Sequence, residues 1–375
     1  MTYKLSDLGS DILSDIKTFC ERDLRAQAAE ADRTRQGVEE LYEATGRMGL
    51  GVLFVPEANG GLDLTPEDRA AILEELAYCD AGVAVSYMAN CLATVPLKMY
   101  APDDLMDSCC RMMLEGKFGA FCLTEDQAGS DIDGILTRAE HIDGEYVVNG
   151  TKAFVTNGNA AGFYIVFAKT DNGLSAFCVD ADTEGITAGE DERKLGIRNS
   201  RTCEVSFTDV KVPEDRLLGA EGEGKKVAAS ALDRARAFCA AAATGVARRS
   251  LDLAAARAEE RILFGKPLAH LENVQIKLGE MREKIGAAGL SCVQALELIR
   301  EGKDCRAASA YAKCLAADTA VFCADSALQI YGGCGYCEDY PVEKLFRDAR
   351  IFRISEGANE VLLEMIGRGT DRPRA

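Results

Sequence analysis

Two histidines, fifteen cysteines and a surplus of carboxylates are the side chains from which chemistry could be built in this 375-residue sequence. His141 and His270 lie in no HExxH and in no paired-ligand spacing, which argues against a zinc site and against a histidine-dependent triad. Cys334 and Cys337 spell CGYC, the spacing of a redox dithiol or half a zinc site. No second CxxC accompanies it and no thioredoxin-like strand precedes it, so the spacing reads as incidental. Gly219, Gly222 and Gly224 cluster at a strand-to-helix boundary without the GxGxxG fingerprint, and read as a loop rather than a phosphate cradle. Asp233 and Arg236, three apart, share one helical face, either as a structural ion pair or as part of a site. Any active site must therefore be run by carboxylates or by a bound cofactor.

The elements that would position such groups follow from periodicity. From Ser6 to about Gly116 apolar residues recur three and four apart, as in Leu13, Ile16, Phe19 and again Ile72, Leu73, Leu76, which predicts helices. Pro56, Gly60, Gly61 and Pro66 mark a loop, and Asp103 and Asp104 suit a helix start. From Phe118 to Pro213 the period becomes two, predicting strands, with Asn149-Gly150 and Asn172-Gly173 as hairpin turns of an antiparallel sheet or barrel. After Gly224, Ala-, Leu-, Glu- and Lys-rich stretches predict a helix bundle, with helices around 225–256, 267–299 and 307–331. The class is α+β, divided as 1–117, 118–222 and 223–375. A helical, β, helical order differs from the alternation of a dinucleotide-binding α/β fold.

Acidic residues outnumber basic ones 61 to 43, a net charge of −18 that disfavours a nucleic-acid partner. No apolar run is long enough to cross a bilayer, no secretory segment opens the chain, and scattered, odd-numbered cysteines suggest reduced thiols. A soluble, cytoplasmic protein is expected, without a metal.

Five segments in order resemble the acyl-CoA dehydrogenase family: CLTEDQAGSD (Cys122 to Asp131), NGTKAFVTNG (Asn149 to Gly158), FGK (Phe264 to Lys266), QIYGGCGY (Gln329 to Tyr336) and PVEKLFRDARIFRISEG (Pro341 to Gly357). The resemblance spans essentially the whole chain. It implies an N-terminal helical domain, a central antiparallel β-barrel-like domain and a C-terminal four-helix bundle, with FAD as cofactor. Phe121, Leu123, Thr124, Gly129 and Ser130 would then lie along the flavin, Ser130 also near the pantetheine. Glycine at 129 lets backbone approach a phosphate. Phe154, Val155 and Thr156 match the strand packed on the flavin ring, though Val155 alone equally suits an ordinary buried strand. Arg261, Phe264, Gln329, Ile330, Gly332 and Gly333 match residues that touch FAD, several of them across a subunit interface, which implies an oligomer, a tetramer in the family's manner. Asn359 completes the cofactor set.

The resemblance also implies the chemistry. Glu356 would take the α-proton of an acyl-CoA while flavin takes the β-hydride, with the Glu356 backbone N–H and a ribityl hydroxyl polarising the thioester carbonyl. Ala235 excludes the alternative base position on the bundle helix. Burial is expected to raise the Glu356 pKa more than the following helix start lowers it once substrate enters. Met88, Val95, Asp233, Arg236 and Gly357, with Ser130 and Glu356, would line the substrate. No arginine lies between Gly82 and Pro96 to receive a terminal carboxylate, so simple dehydrogenation is favoured over oxidative decarboxylation. Ser355, where many members have tyrosine, leaves room beside the base. Leu263 and Ala358 replace common hydroxyl residues, which would cost some FAD hydrogen bonds, and Glu272 replaces a common glutamine, which implies either a local reorientation or weaker flavin affinity. Electrons would leave through electron-transferring flavoprotein. Enoyl-CoA reduction in the reverse direction, an oxidase and a non-catalytic flavin-binding scaffold remain open alternatives.

Overall fold

The computed structural model describes residues 3–369, in three successive regions. The first is helical: α1 (Asp7–Phe19), α2 (Arg25–Thr34), α3 (Val38–Arg47), α4 (Pro66–Cys79), α5 (Ala81–Tyr100) and α6 (Asp103–Leu114). Pro66, expected in a loop, is instead the first residue of α4. Thr65 caps that helix through a reciprocal box with Asp68, and proline at the first turn gives up no needed donor. Asp80 then caps α5, its side chain accepting from Val83 N at 2.9 Å.

The middle region carries β1 (Phe118–Cys122), β2 (Arg138–Ile142), β3 (Glu145–Thr156), β4 (Ala161–Thr170), β5 (Gly173–Asp180), β6 (Ile186–Ala188) and β7 (Thr202–Pro213). Its sheet runs β1-β4-β2-β3-β7-β6, with β5 also on β4. Most pairs are antiparallel as expected, but β1 and β4 pair in parallel, and β2 meets β4 in parallel at Arg138 and Lys169, so the sheet is mixed. The long connection between these two strands, which contains β2 and β3, permits that crossover. On β4, Phe163, Ile165 and Phe167 pack toward α6, while Tyr164, Val166 and Ala168 fill the opposite face with β1, β3 and β7. Both faces of β4 are therefore buried.

The turn at Asn172-Gly173 joins β4 to β5 as expected, but Asn149-Gly150 forms no hairpin. It lies within β3 at a register shift, where a Cβ on Gly150 would stand 2.4 Å from Thr137 Oγ1. Close approach selects this glycine. The β2–β3 hairpin turns at Asp143-Gly144, both with positive φ, the pairing a two-residue turn of this kind requires.

The last region contains α7 (Gly224–Glu260), a small hairpin of β8 (Ile262–Leu263) and β9 (Lys266–Pro267), α8 (Glu272–Arg300), α9 (Arg306–Tyr331), α10 (Val342–Ala349) and α11 (Asn359–Gly367). Three long helices pack together and the two short ones complete the bundle against α9. An alanine run, Ala240 to Ala243, is buried along α7 where α4 and α5 press against it. No helix among the described residues is long and apolar enough to cross a membrane.

Candidate active site

Glu356 lies in the short connection between α10 and α11, in the left-handed region at φ 57°, followed by Gly357 at φ 96°. A glutamate with positive φ is costly and persists only where surrounding contacts hold it. Two buried cations supply those contacts. From α7, Arg236 donates through Nε to the Glu356 carbonyl at 3.0 Å and through Nη1 to Asp233 at 2.7 Å. From α9, Lys313 donates to the Gly357 carbonyl at 2.7 Å and to Asn359 Oδ1 at 3.0 Å. Both cations are thus spent on backbone and on other side chains, and neither neutralises the carboxylate directly.

Glu356 is half-buried as a residue, but its Oε2 is sealed from solvent and has no hydrogen-bond partner. Burial lifts its pKa to about 7, against the opposing pull of the Arg236 and Lys313 charges. The sequence-based expectation had burial win only with substrate present, whereas the ligand-free fold already achieves it. The Glu356 N–H also makes no hydrogen bond among the described residues. A buried acid near neutrality beside an unengaged backbone donor can remove a weakly acidic proton and stabilise the oxyanion that results.

A second group forms around the segment following β1. Glu125 is buried against fully buried Lys152, with an Nζ–Oε1 distance of 2.7 Å, and also accepts from Thr137 and Leu136. Burial alone would raise its pKa, but Lys152 and these donors bring it down to about 2. This anchor, invisible as such in the sequence, fixes the turn that carries Thr124, Gly129 and Ser130. The Thr124 carbonyl accepts from Ala153 N at 2.9 Å, placing the turn beside β3 just before Phe154. There a second register shift throws Phe154 outward, 62% exposed and at φ 54°. Thr124, Ser130 and Thr156 have no side-chain hydrogen bond to any described residue, which leaves their hydroxyls available. An exposed aromatic face, free hydroxyls and an open glycine turn fit a flat, anionic cofactor such as FAD.

The remaining expected residues fall as follows. Val155 points into the sheet interior, so only its backbone can face a ligand, and Leu123 is buried with its carbonyl held by Lys152. Phe121 is half-buried against Phe167. Asn359, expected at the cofactor, is a buried internal strut: its amide is committed to Lys313, Asp318 and the Cys314 carbonyl. Met88 is buried in α5 and Val95 packs at the edge of the same core. Arg261, Phe264, Gln329, Ile330, Gly332 and Gly333 form a third group at one end of the bundle, where Arg257 lies over the Tyr331 ring. Phe264 there is 84% exposed, and among the described residues no hydrogen bond or ion pair joins this group to Glu356. Glu272 is exposed in the first turn of α8, where a carboxylate suits the helix dipole. Cys334 and Cys337 are free thiols around a short 3-10 turn.

Another cluster was not foreseen. Lys344 bridges Asp80 at 2.9 Å and also binds Asp348, while Arg347 grips Asp32 at 2.6 Å. These ion pairs clamp α10 onto the N-terminal helices and so fix the segment leading to Glu356.

A helical–β–helical protein with a carboxyl oxygen buried without a partner between the bundle helices α7 and α9 is the class the fold and site define. Three family descriptions match it in order: acyl-CoA dehydrogenase N-terminal domain over 9–117, middle domain over 120–210 and C-terminal domain over 222–370. The chain is 38% identical to the short-chain specific acyl-CoA dehydrogenase of Megasphaera elsdenii, covering 98% of this chain and 99% of that protein. The butyryl-CoA dehydrogenase structure from the same organism superposes with a TM-score of 0.94 at 38% identity, covering 99% and 100% of the two chains. A chain in the structure described as the electron transferring flavoprotein of Acidaminococcus fermentans gives 0.95 at 35% identity, covering all of both. PigA, solved with FAD and proline, gives 0.92 at 27%, covering 99% of each chain. The chain belongs to the acyl-CoA dehydrogenase family.

Proposed function

We propose that this enzyme binds FAD and desaturates the α,β bond of an acyl-CoA thioester, with Glu356 as the base. One observation carries the assignment: a glutamate whose Oε2 is buried without a partner and whose pKa burial raises to about 7. Such a carboxylate is a stronger base than a solvated one and is not quenched by a neighbouring hydrogen bond. Arg236 and Lys313 hold the strap on which it rides, so that its aim is fixed before substrate arrives. The Glu356 N–H donates to the thioester carbonyl as charge builds there, which acidifies the α-carbon. FAD, when bound, supplies the acceptor for the β-hydride. Thr124, Ser130 and Thr156 provide hydroxyl donors for it, and Phe154 an aromatic wall.

The exposed Phe264 hairpin and the Gln329–Gly333 turn suit contact with a second copy, so the working enzyme is a homo-oligomer, a tetramer on the family resemblance. Electrons pass on to an electron-transferring flavoprotein, in keeping with the Acidaminococcus relative. The test is anaerobic addition of acyl-CoA to the FAD-loaded protein while the flavin band is followed. Wild type bleaches; Glu356→Gln retains FAD and thioester but stays oxidised. Full bleaching of Glu356→Gln overturns the assignment.

A further inference from the structure

Cys334 and Cys337, whose spacing reads as incidental in the sequence alone, are set apart in the fold by exposure. Cys337 is exposed and Cys334 half-buried, whereas every other cysteine except Cys79 is buried. Burial also pushes up the thiols of Cys122, Cys239 and Cys292, which keeps them in the unreactive protonated form.

Backbone geometry brings this pair together. The two residues lie on the connection between α9 and α10, where the 3-10 helix Gly332–Tyr336 ends with the Cys337 N–H donating to the Cys334 carbonyl at 3.1 Å. A turn closed by such a bond keeps its end Cα atoms within about 7 Å, and a disulfide spans about 4.4–6.8 Å. The Cys337 Sγ folds back over the turn and donates at 3.6 Å to the carbonyl of Gly333, the residue just before Cys334. Gly335, between the two cysteines, is buried, and a Cβ there would stand 2.7 Å from Tyr331 Cβ and 2.9 Å from the Leu328 carbonyl oxygen. The turn is thus pressed onto the end of α9 in its closed form, and joining its sulfurs surrenders little further chain entropy.

We infer that Cys334 and Cys337 form a redox modification site, a dithiol that a low-molecular-weight disulfide converts reversibly into an intramolecular bond stapling the α9–α10 connection. Cys337, the more exposed, attacks as thiolate and expels one small thiolate, leaving a mixed disulfide. Cys334 then attacks the Cys337 sulfur and expels the second. One S–S bond breaks and one forms, two electrons pass to the small disulfide, and the two protons given up by the cysteines end on the two released thiols. Neither step involves Glu356 or FAD.

The test incubates FAD-loaded enzyme, its thiols first reduced, with glutathione disulfide; free thiols are then alkylated and the peptides mapped by mass spectrometry. Wild type is expected to lose both thiols of this pair to a bond between Cys334 and Cys337 that dithiothreitol reverses, and to show amide exchange over 332–341 slowed by at least about threefold. Cys334→Ser lacks the second attacking thiol and should accumulate glutathione on Cys337 at least about tenfold above wild type. Cys337→Ser should accumulate far less on the half-buried Cys334. Both thiols remaining free in the native protein overturns the inference. So does a bond formed instead between Cys109 and Cys178, whose sulfurs lie 3.6 Å apart in the core, or one formed between two copies of the chain.

Discussion

Titration of Glu356 offers a quantitative test of the site. Its pKa moves from an ordinary 4.5 to about 7, because burial penalises the charged form more than Arg236 and Lys313 favour it. At 1.36 kcal/mol per unit, the folded protein prefers the neutral acid by about 3 kcal/mol relative to the unfolded chain. The carboxyl is raised on folding, so its contribution to stability is fully present below about pH 4.5 and is lost as pH rises through about 7. Catalysis runs the other way, since the base must be ionised: about a tenth is competent at pH 6 and about nine-tenths at pH 8. The logarithm of kcat/KM, which reports the free enzyme, should rise with unit slope below about pH 7 and flatten above it. Denaturation of wild type and Glu356→Gln at matched pH should show the variant gaining relative stability, by up to about 3 kcal/mol, between acid and mildly alkaline solution. A flat rate profile across this range, joined to a stability difference independent of pH, would refute the argument that burial tunes this base.

Arg236→Met removes both the grip on the Glu356 carbonyl and a charge that holds its pKa down, so the inflection in kcat/KM should move to higher pH and the plateau should fall; an unmoved inflection would deny the electrostatic link. Lys152→Met strands the buried Glu125 carboxylate and should destabilise the protein by about 3–5 kcal/mol, with Lys152→Met/Glu125→Gln recovering much of the loss in chemical denaturation.

Helices and the helical, β, helical order were legible because their signals are local. The expected spans 225–256 and 307–331 lie within or one residue from Gly224–Glu260 and Arg306–Tyr331. The helix expected from 267 begins instead at Glu272, because Pro267 pairs in the small hairpin before it. The Asn149-Gly150 turn was misread since a close approach to Thr137 and a tight turn both select glycine, and only the fold distinguishes them. Glu356 was reached through its motif, but what surrounds it was not. Lys313 lies 44 residues from the Gly357 carbonyl it holds, Lys152 lies 27 from Glu125, and Arg347 lies 315 from Asp32. Pairings at such separations are set by tertiary packing and leave no periodic trace in the chain.

The buried Glu125–Lys152 pair has a bearing on how the holoenzyme assembles. Because the turn through Ser130 is braced by charges already satisfied inside the protein, little chain entropy is surrendered when a ligand docks there. On the proposed assignment of this turn to FAD, newly folded polypeptide presents a finished berth, and loading with cofactor becomes a matter of encounter rather than of coupled folding.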